Sequence, residues 1–133
     1  MKVVFKYGND ILFLLLGPMI KIYGIKNCNT MQKAFTWLAD NKLKFDFHNY
    51  KESGINEATL ERWLDKLPAD KLINTKGTTY RGLTDKEKAS IDDRAKAIEL
   101  MMAKPSVIKR PVWDFGKGKL VLGFDEAELA KYV

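Results

Sequence analysis

The sequence predicts an α/β fold, a mixed four-stranded sheet with helices packed on it and a helical insertion between its two halves. Three observations carry that expectation. Near its start the chain passes from an alternating apolar and polar run to a helical period and back to an alternating run, so it reads strand, helix, strand. Its final part reads as two short strands around a glycine-containing turn, followed by a helix. The residues between these two parts carry helix starts, caps and stops.

The first strand is IKIYG, Ile20 to Gly24, alternating and rich in β-branched and aromatic side chains. After a loop at Ile25 to Asn27, Met31, Ala34, Phe35 and Leu38 fall at i, i+3, i+4 and i+7. That spacing is one apolar face of a helix, which ends near Asn41. KFDFHNY, Lys44 to Tyr50, alternates again, with Phe45, Phe47 and Asn49 on one face. Two strands linked by a helix pair in parallel through a right-handed crossover, so a βαβ unit is expected.

The insertion opens with a helix started by Asn56, with Leu60, Trp63, Leu64 and Leu67 as its apolar stripe and Pro68 as its stop. NTKGTTYRGL, Asn74 to Leu83, is polar, contains glycine and has no period, the marks of a loop. Thr84 followed by Glu87 is a capping-box pattern, and a second start at Asp92 leads a helix carrying Ala95, Ile98 and Met102. RPVWDFGKGKLVLGF, Arg110 to Phe124, reads as an antiparallel hairpin around GKGK, and Asp125 with Glu128 caps a terminal helix. An N-terminal βαβ and a C-terminal ββα with helices inserted between them close as one mixed sheet, the thioredoxin-like arrangement.

Composition narrows the classes. A chain of 133 residues fits one domain with a real core, and 46% hydrophobic with 30% charged residues is ordinary for a soluble globular protein. One cysteine excludes an internal disulfide, and with His48 as the single histidine no soft-ligand metal cluster is expected. The net charge of +6 is spread along the chain without a dense basic run, so no nucleic-acid site is expected. ILFLLL, Ile11 to Leu16, is shorter than the ~20 apolar residues that span a bilayer, so no membrane anchor is expected. A signal peptide is disfavoured because no small-x-small cleavage site follows. Residues 1–18 therefore read as an N-terminal extension from an upstream start, loosely ordered, ahead of a domain over 19–133.

Cys28 stands where the first strand gives way to the helix. A free cysteine is most often a small buried hydrophobe. This position argues for chemistry instead, because a helix N-terminus offers unpaired N–H groups and the positive end of the dipole, and both favour thiolate. Lys26, Asn27, Asn29 and Thr30 make the surroundings polar. A CxxC pair would need a second cysteine where Met31 stands, and a CxxxxxR phosphate loop would need arginine where Ala34 stands. His48 falls on the second strand and is assigned no role. Arg81 and Arg110 are cations on predicted loops, and a guanidinium can hold an oxyanion or carboxylate bidentately beside a thiolate. Pro111 follows Arg110 at the start of the hairpin, the turn that in thioredoxin-like folds commonly carries a cis proline near the reactive cysteine.

Three segments together, YGIKNCNTMQKAFTWL, INTKGTTYRGL and SVIKRPVWDFGKGKLVLGFDEAEL, resemble the arsenate reductase (ArsC) and Spx superfamily, most closely its small ArsC-like members of the YffB type. The resemblance covers residues 19–133. It implies a nucleophilic Cys28, oxyanion-binding Arg81 and Arg110, and glutathione as co-substrate with a glutaredoxin as external reductant. At two places the sequence departs from true arsenate reductases. Gly123 stands where they have a third arginine, and a histidine upstream of their cysteine is absent, which weighs against efficient arsenate reduction. Spx regulators often carry a CxxC switch and bind RNA polymerase, and Met31 removes that switch.

The expectation is therefore a cytoplasmic, monomeric thiol reductase without a bound cofactor, in which Cys28 attacks a sulfur or oxyanion substrate. Arg81 and Arg110 hold its anion, and the N–H groups of Asn29 and Thr30 stabilise the thiolate. The alternative is an Spx-like non-catalytic module that binds a protein partner such as RNA polymerase.

Overall fold

A four-stranded sheet in the order β2-β1-β3-β4 organises the computed structural model, which describes residues 20–133. The expected extension, residues 1–18, lies outside the described residues. The strands are β1 (Ile20–Gly24), β2 (Phe45–Asn49), β3 (Val112–Asp114) and β4 (Leu120–Leu122). β1 and β2 are parallel, whereas β1 with β3 and β3 with β4 are antiparallel. The chain divides into two units, one of residues 20–49 with Arg110–Val133, and the other Tyr50–Lys109. With its flanking helices the sheet is the mixed α/β, thioredoxin-like fold expected from the order of periods.

In the first unit, helix α1 (Asn29–Asp40) buries Met31, Ala34, Phe35 and Leu38, the four positions that the helical period singles out. Beneath it one row of side chains crosses the sheet, Phe47, Ile22, Trp113 and Val121, each paired with the next in register. Alternation puts these on one face and His48, Tyr23, Val112 and Leu122 on the other. Phe35 meets Phe47 edge to face at 5.2 Å, and Trp37 meets Trp113 in the same way at 5.6 Å. Trp113 is fully buried and its indole N–H is satisfied by the Gly123 carbonyl at 2.7 Å. The hairpin turn runs through Gly116, Lys117 and Gly118, all at positive φ, which explains why glycine brackets the lysine there.

The second unit is helical. α2 (Tyr50–Ser53) takes Tyr50 from the end of the expected strand. α3 (Glu57–Leu64) is capped by Asn56, whose Oδ1 accepts the Thr59 N–H at 2.8 Å. Its Leu60 and Trp63 are fully buried, whereas Leu64 and Leu67 are half-buried. Pro68 ends that run but also opens α4 (Ala69–Leu72). The segment expected as loop contains a one-turn helix, α5 (Thr78–Arg81), closed by Arg81 N–H on the Gly77 carbonyl at 3.1 Å. One turn is too short to show a period.

α6 (Asp85–Ala89) has the expected capping box between Thr84 and Glu87. α7 (Arg94–Ala103) is capped by Asp93, because Asp92 still belongs to a 3-10 turn. Ala97, Ile98, Leu100 and Met101 are buried while Ala95 and Met102 are exposed, so of the expected stripe Ala95, Ile98 and Met102 only Ile98 faces inward. Arg94 ties α7 to α3 through Glu61 at 2.7 Å and Asp65 at 2.8 Å, and an isolated bridge joins Ile73 to Ile108. α8 (Glu126–Leu129), back in the first unit, is capped by Asp125 and sends Leu129 into the sheet's core. No helix among the described residues is long and apolar enough to cross a membrane.

Two substitutions check this account. Leu38→Ala should cost about 2 to 5 kcal/mol in denaturant unfolding, because the side chain is fully buried under α1. Asn56→Ala should cost about 1 kcal/mol, the usual worth of an N-cap.

Candidate functional site around Cys28

The sheet sets the site. In a parallel βαβ unit the helix following β1 starts at that strand's carboxyl end, and here three residues, Ile25 to Asn27, intervene before Cys28. Cys28 is the N-cap of α1, with extended backbone at φ −152° and ψ 132°. Its N–H bonds the Lys26 carbonyl at 3.2 Å, and its own carbonyl accepts the Gln32 N–H at 3.0 Å. The Gln32 side chain also donates to the Lys26 carbonyl at 3.1 Å, tying the loop to the helix it feeds.

Arg110 reaches Cys28 by strand register. β3 runs antiparallel to β1 with Tyr23 opposite Val112, so the residues just before Val112 lie beside the start of the Cys28 loop. The Arg110–Pro111 peptide bond is cis, and the Pro111 carbonyl accepts the Gly123 N–H at 2.8 Å. Pro111 is buried and Arg110 half-buried.

Three influences act on the thiol. Partial burial pushes its pKa up, while the backbone N–H groups of Met31 and then Thr30, together with the hydrogen bond and charge of Arg110, pull it down. The lowering influences win, so the thiol ionises below its ordinary value. No cap hydrogen bond of ordinary strength forms from the neutral side chain. The same amides act on the ionised form, since a thiolate accepts where a thiol scarcely does. The first turn of α1 holds no acidic residue to compete for them.

The expected amide pair was Asn29 and Thr30, whereas the donors that bear on the sulfur are Thr30 and Met31. The reason is geometric, because an N-cap side chain faces the N–H groups of N2 and N3, and Asn29 is N1. The helix boundary alone could have given this, had the cap rule been applied to Cys28 itself. Arg81 ends α5 in the second unit and is exposed. His48 is half-buried on β2, its ring 5.0 Å from that of Tyr23, and is not among the groups that shift the thiol.

A single cysteine at a helix N-cap on a thioredoxin-like sheet, with amides and a guanidinium favouring its ionised form, defines a single-cysteine thiol protein. Residues 23–132 match the ArsC family, and the chain belongs to it, within the ArsC/Spx superfamily and close to its small YffB-type members. A solved YFFB protein is 45% identical, with a TM-score of 0.80 over 86% of this chain and 98% of its own. An arsenate reductase (ArsC) related protein from Brucella melitensis is 44% identical, with a TM-score of 0.68 over 87% and 98%. An uncharacterised protein of Haemophilus influenzae is 37% identical over 110 residues, covering 83% of this chain and 95% of the relative. This kinship and the single cysteine are consistent with a thiol-based reductase.

Alkylation of Cys28 followed against pH should give a midpoint below the ~8.5 of an unperturbed thiol. Arg110→Ala should move that midpoint up, and Arg110→Lys should recover only part of the shift, lacking the fork geometry. The linkage has a definite sign. A thiol whose folded pKa is depressed stabilises the fold above its unfolded pKa, and that contribution is lost as pH falls through the folded value. Wild type minus Cys28→Ser stability should therefore rise with pH across that window.

Proposed function

We propose that the protein is a glutathione-dependent thiol reductase in which Cys28 is the nucleophile. The observation that carries this reading is the Arg110 side chain set against a cysteine sulfur that already occupies a helix N-cap. In the first step the Cys28 thiolate attacks one sulfur of a mixed disulfide between a substrate thiol and glutathione. The Cys28–glutathione S–S bond forms, the substrate's S–S bond breaks, and the substrate thiolate leaves with the electron pair and takes a proton from water. Reduced glutathione then attacks the Cys28 adduct, releasing oxidised glutathione and restoring the thiolate. The net exchange is mixed disulfide plus glutathione to substrate thiol plus oxidised glutathione.

Arg110 lowers the pKa of the attacking thiol and offers its guanidinium to a carboxylate of the glutathionyl group or to a substrate oxyanion. The Thr30 and Met31 amides keep the thiolate ionised between cycles. Arg81 enters as a second anion contact on the strength of the family resemblance of the INTKGTTYRGL segment. Asn29, exposed on the first turn, offers a side-chain amide to the peptide portion of glutathione. Pro111 shapes the turn that presents Arg110. The chain has one cysteine, so an external thiol must resolve the adduct, either glutathione or a glutaredoxin acting on the mixed disulfide. A reducing compartment such as the cytoplasm supplies both.

Incubation with oxidised glutathione followed by intact-mass measurement should show one glutathionyl adduct on the wild type and none on Cys28→Ser. Turnover of a glutathionylated substrate with reduced glutathione should vanish in the same variant. Arg110→Ala should weaken glutathione binding by about ten- to a hundredfold, the worth of a charge-assisted contact of roughly 1.5 to 3 kcal/mol, and Arg81→Ala should weaken it less. Absence of both adduct and turnover in the wild type would refute the reading.

A further inference from the structure

Met31 occupies the position at which a redox pair would place its second thiol, and it is fully buried in the core beneath α1. Its thioether lies on the backbone of Gly24, the last residue of β1. A Cβ built on Gly24 would stand 2.5 Å from Met31 Sδ and 2.9 Å from Met31 Cε, closer than side-chain atoms approach one another. Gly24 is itself fixed to the sheet, paired with Asn49 of β2. Its φ is not positive, so glycine is called for here by the space the methionine takes and not by backbone conformation.

The connection closes a short circuit in the chain. β1 holds Gly24, Gly24 seats the Met31 side chain, and the Met31 N–H is the N3 amide of the helix that Cys28 caps. Cys28 in turn packs against the same core cluster that contains Met31. The loop is also tied by Cys28 N–H and Gln32 Nε2 on the Lys26 carbonyl, and the Gln32 bond is exposed and can exchange with water. The Gly24 and Met31 contact is buried and cannot.

We propose that Met31 is a positioning residue for Cys28, its thioether seated on Gly24 so that the first turn of α1 is held to the end of β1 with the N3 amide facing the sulfur. Gly24 is the matching half of the device. Methionine suits the task because an unbranched thioether fits a narrow gap over bare backbone that a β-branched chain could not enter. The inference rests on Cys28 being the reacting thiol but not on glutathione being its partner.

The test reads the thiol directly, with iodoacetamide alkylation against pH and denaturant unfolding on each variant. Gly24→Ala should push Met31 off its seat, raise the alkylation midpoint of Cys28 and lower the thiolate fraction at neutral pH by about threefold or more. Met31→Ala should raise the midpoint too, by leaving the turn unseated, whereas Met31→Leu, nearly the same volume, should stay closer to wild type. The decisive variant is Gly24→Ala combined with Met31→Ala. The added methyl then enters the space that the methionine vacated, and the midpoint should return toward the wild-type value. A merely structural role would lower stability in the single variants while leaving the midpoint where it was, and that result would overturn the proposal. Should Gly24→Ala fail to fold, the Met31→Ala midpoint decides alone, an unchanged value counting against it. Midpoints that respond as expected in a protein forming no glutathione adduct would leave this inference standing and remove the glutathione reading.

Discussion

The packing of the α1 stripe on the sheet is the contact on which the rest of the first unit depends. Met31, Ala34, Phe35 and Leu38 are buried over Ile20, Ile22, Phe45 and Phe47 in one cluster. Apolar burial is not directional, but a helix joining two parallel strands has one way to lie, and that way brings its N-terminus back to the carboxyl end of β1. Cys28 therefore reaches a helix N-cap because of side chains buried in the core beneath the helix. The amides that favour the thiolate belong to the first turn of the same helix, so the packing of that stripe also fixes the thiol's setting.

The electrostatics of the site is a contest in which no single contributor suffices. Partial burial alone would make Cys28 a poorer nucleophile at neutral pH by holding it protonated, yet the same burial strengthens every oriented donor near it by keeping out water. Two amides and one guanidinium tip the balance. The +6 charge of the chain does not, because charges scattered over a surface are screened within about 8 to 10 Å at physiological salt, whereas Arg110 acts at contact. Arg110 arrives through the register of β3 on β1, so the hairpin is part of the site even though none of its other side chains acts on the sulfur.

What could be read from the sequence followed the lengths of its periods. β1, α1, β2 and the hairpin each show several side chains on one face, and their faces and the position of Cys28 at the head of α1 were legible from spacing alone. α4 and α5 are single turns with too few residues to show a period, so Ala69–Leu72 and Thr78–Arg81 were invisible as helices. In α7 two adjacent aspartates compete as caps, and apolar residues stand at 95, 97, 98, 100, 101, 102 and 103, around most of the helix, so spacing alone does not select the buried face. The Met31 amide was missed for a different reason. Backbone donors carry no signature in residue type, so polar Asn29 drew the assignment that geometry gives to an apolar residue. Arg110 beside Cys28 is a long-range fact, and the family resemblance, not spacing, carried it in advance.

Methionine at position 31 has two consequences that pull in opposite directions. A second thiol there would let the protein resolve its own adduct, at a rate independent of any outside reductant. Under the proposed reaction Met31 forgoes that step, and each cycle would wait for an encounter with an external thiol, so turnover would depend on the reductant's concentration until its binding saturates. In exchange the position becomes available to packing, and a fully buried thioether over the Gly24 backbone does what a smaller, polar-capable thiol could not, filling the gap between the end of β1 and the first turn of α1. The site thus holds one sulfur in a fixed field of donors, and the proposed reaction would bring the second from solution. A chemistry that needs a mixed disulfide with a small, abundant thiol loses little by this arrangement, whereas one that needs a fast internal dithiol switch loses its essential part.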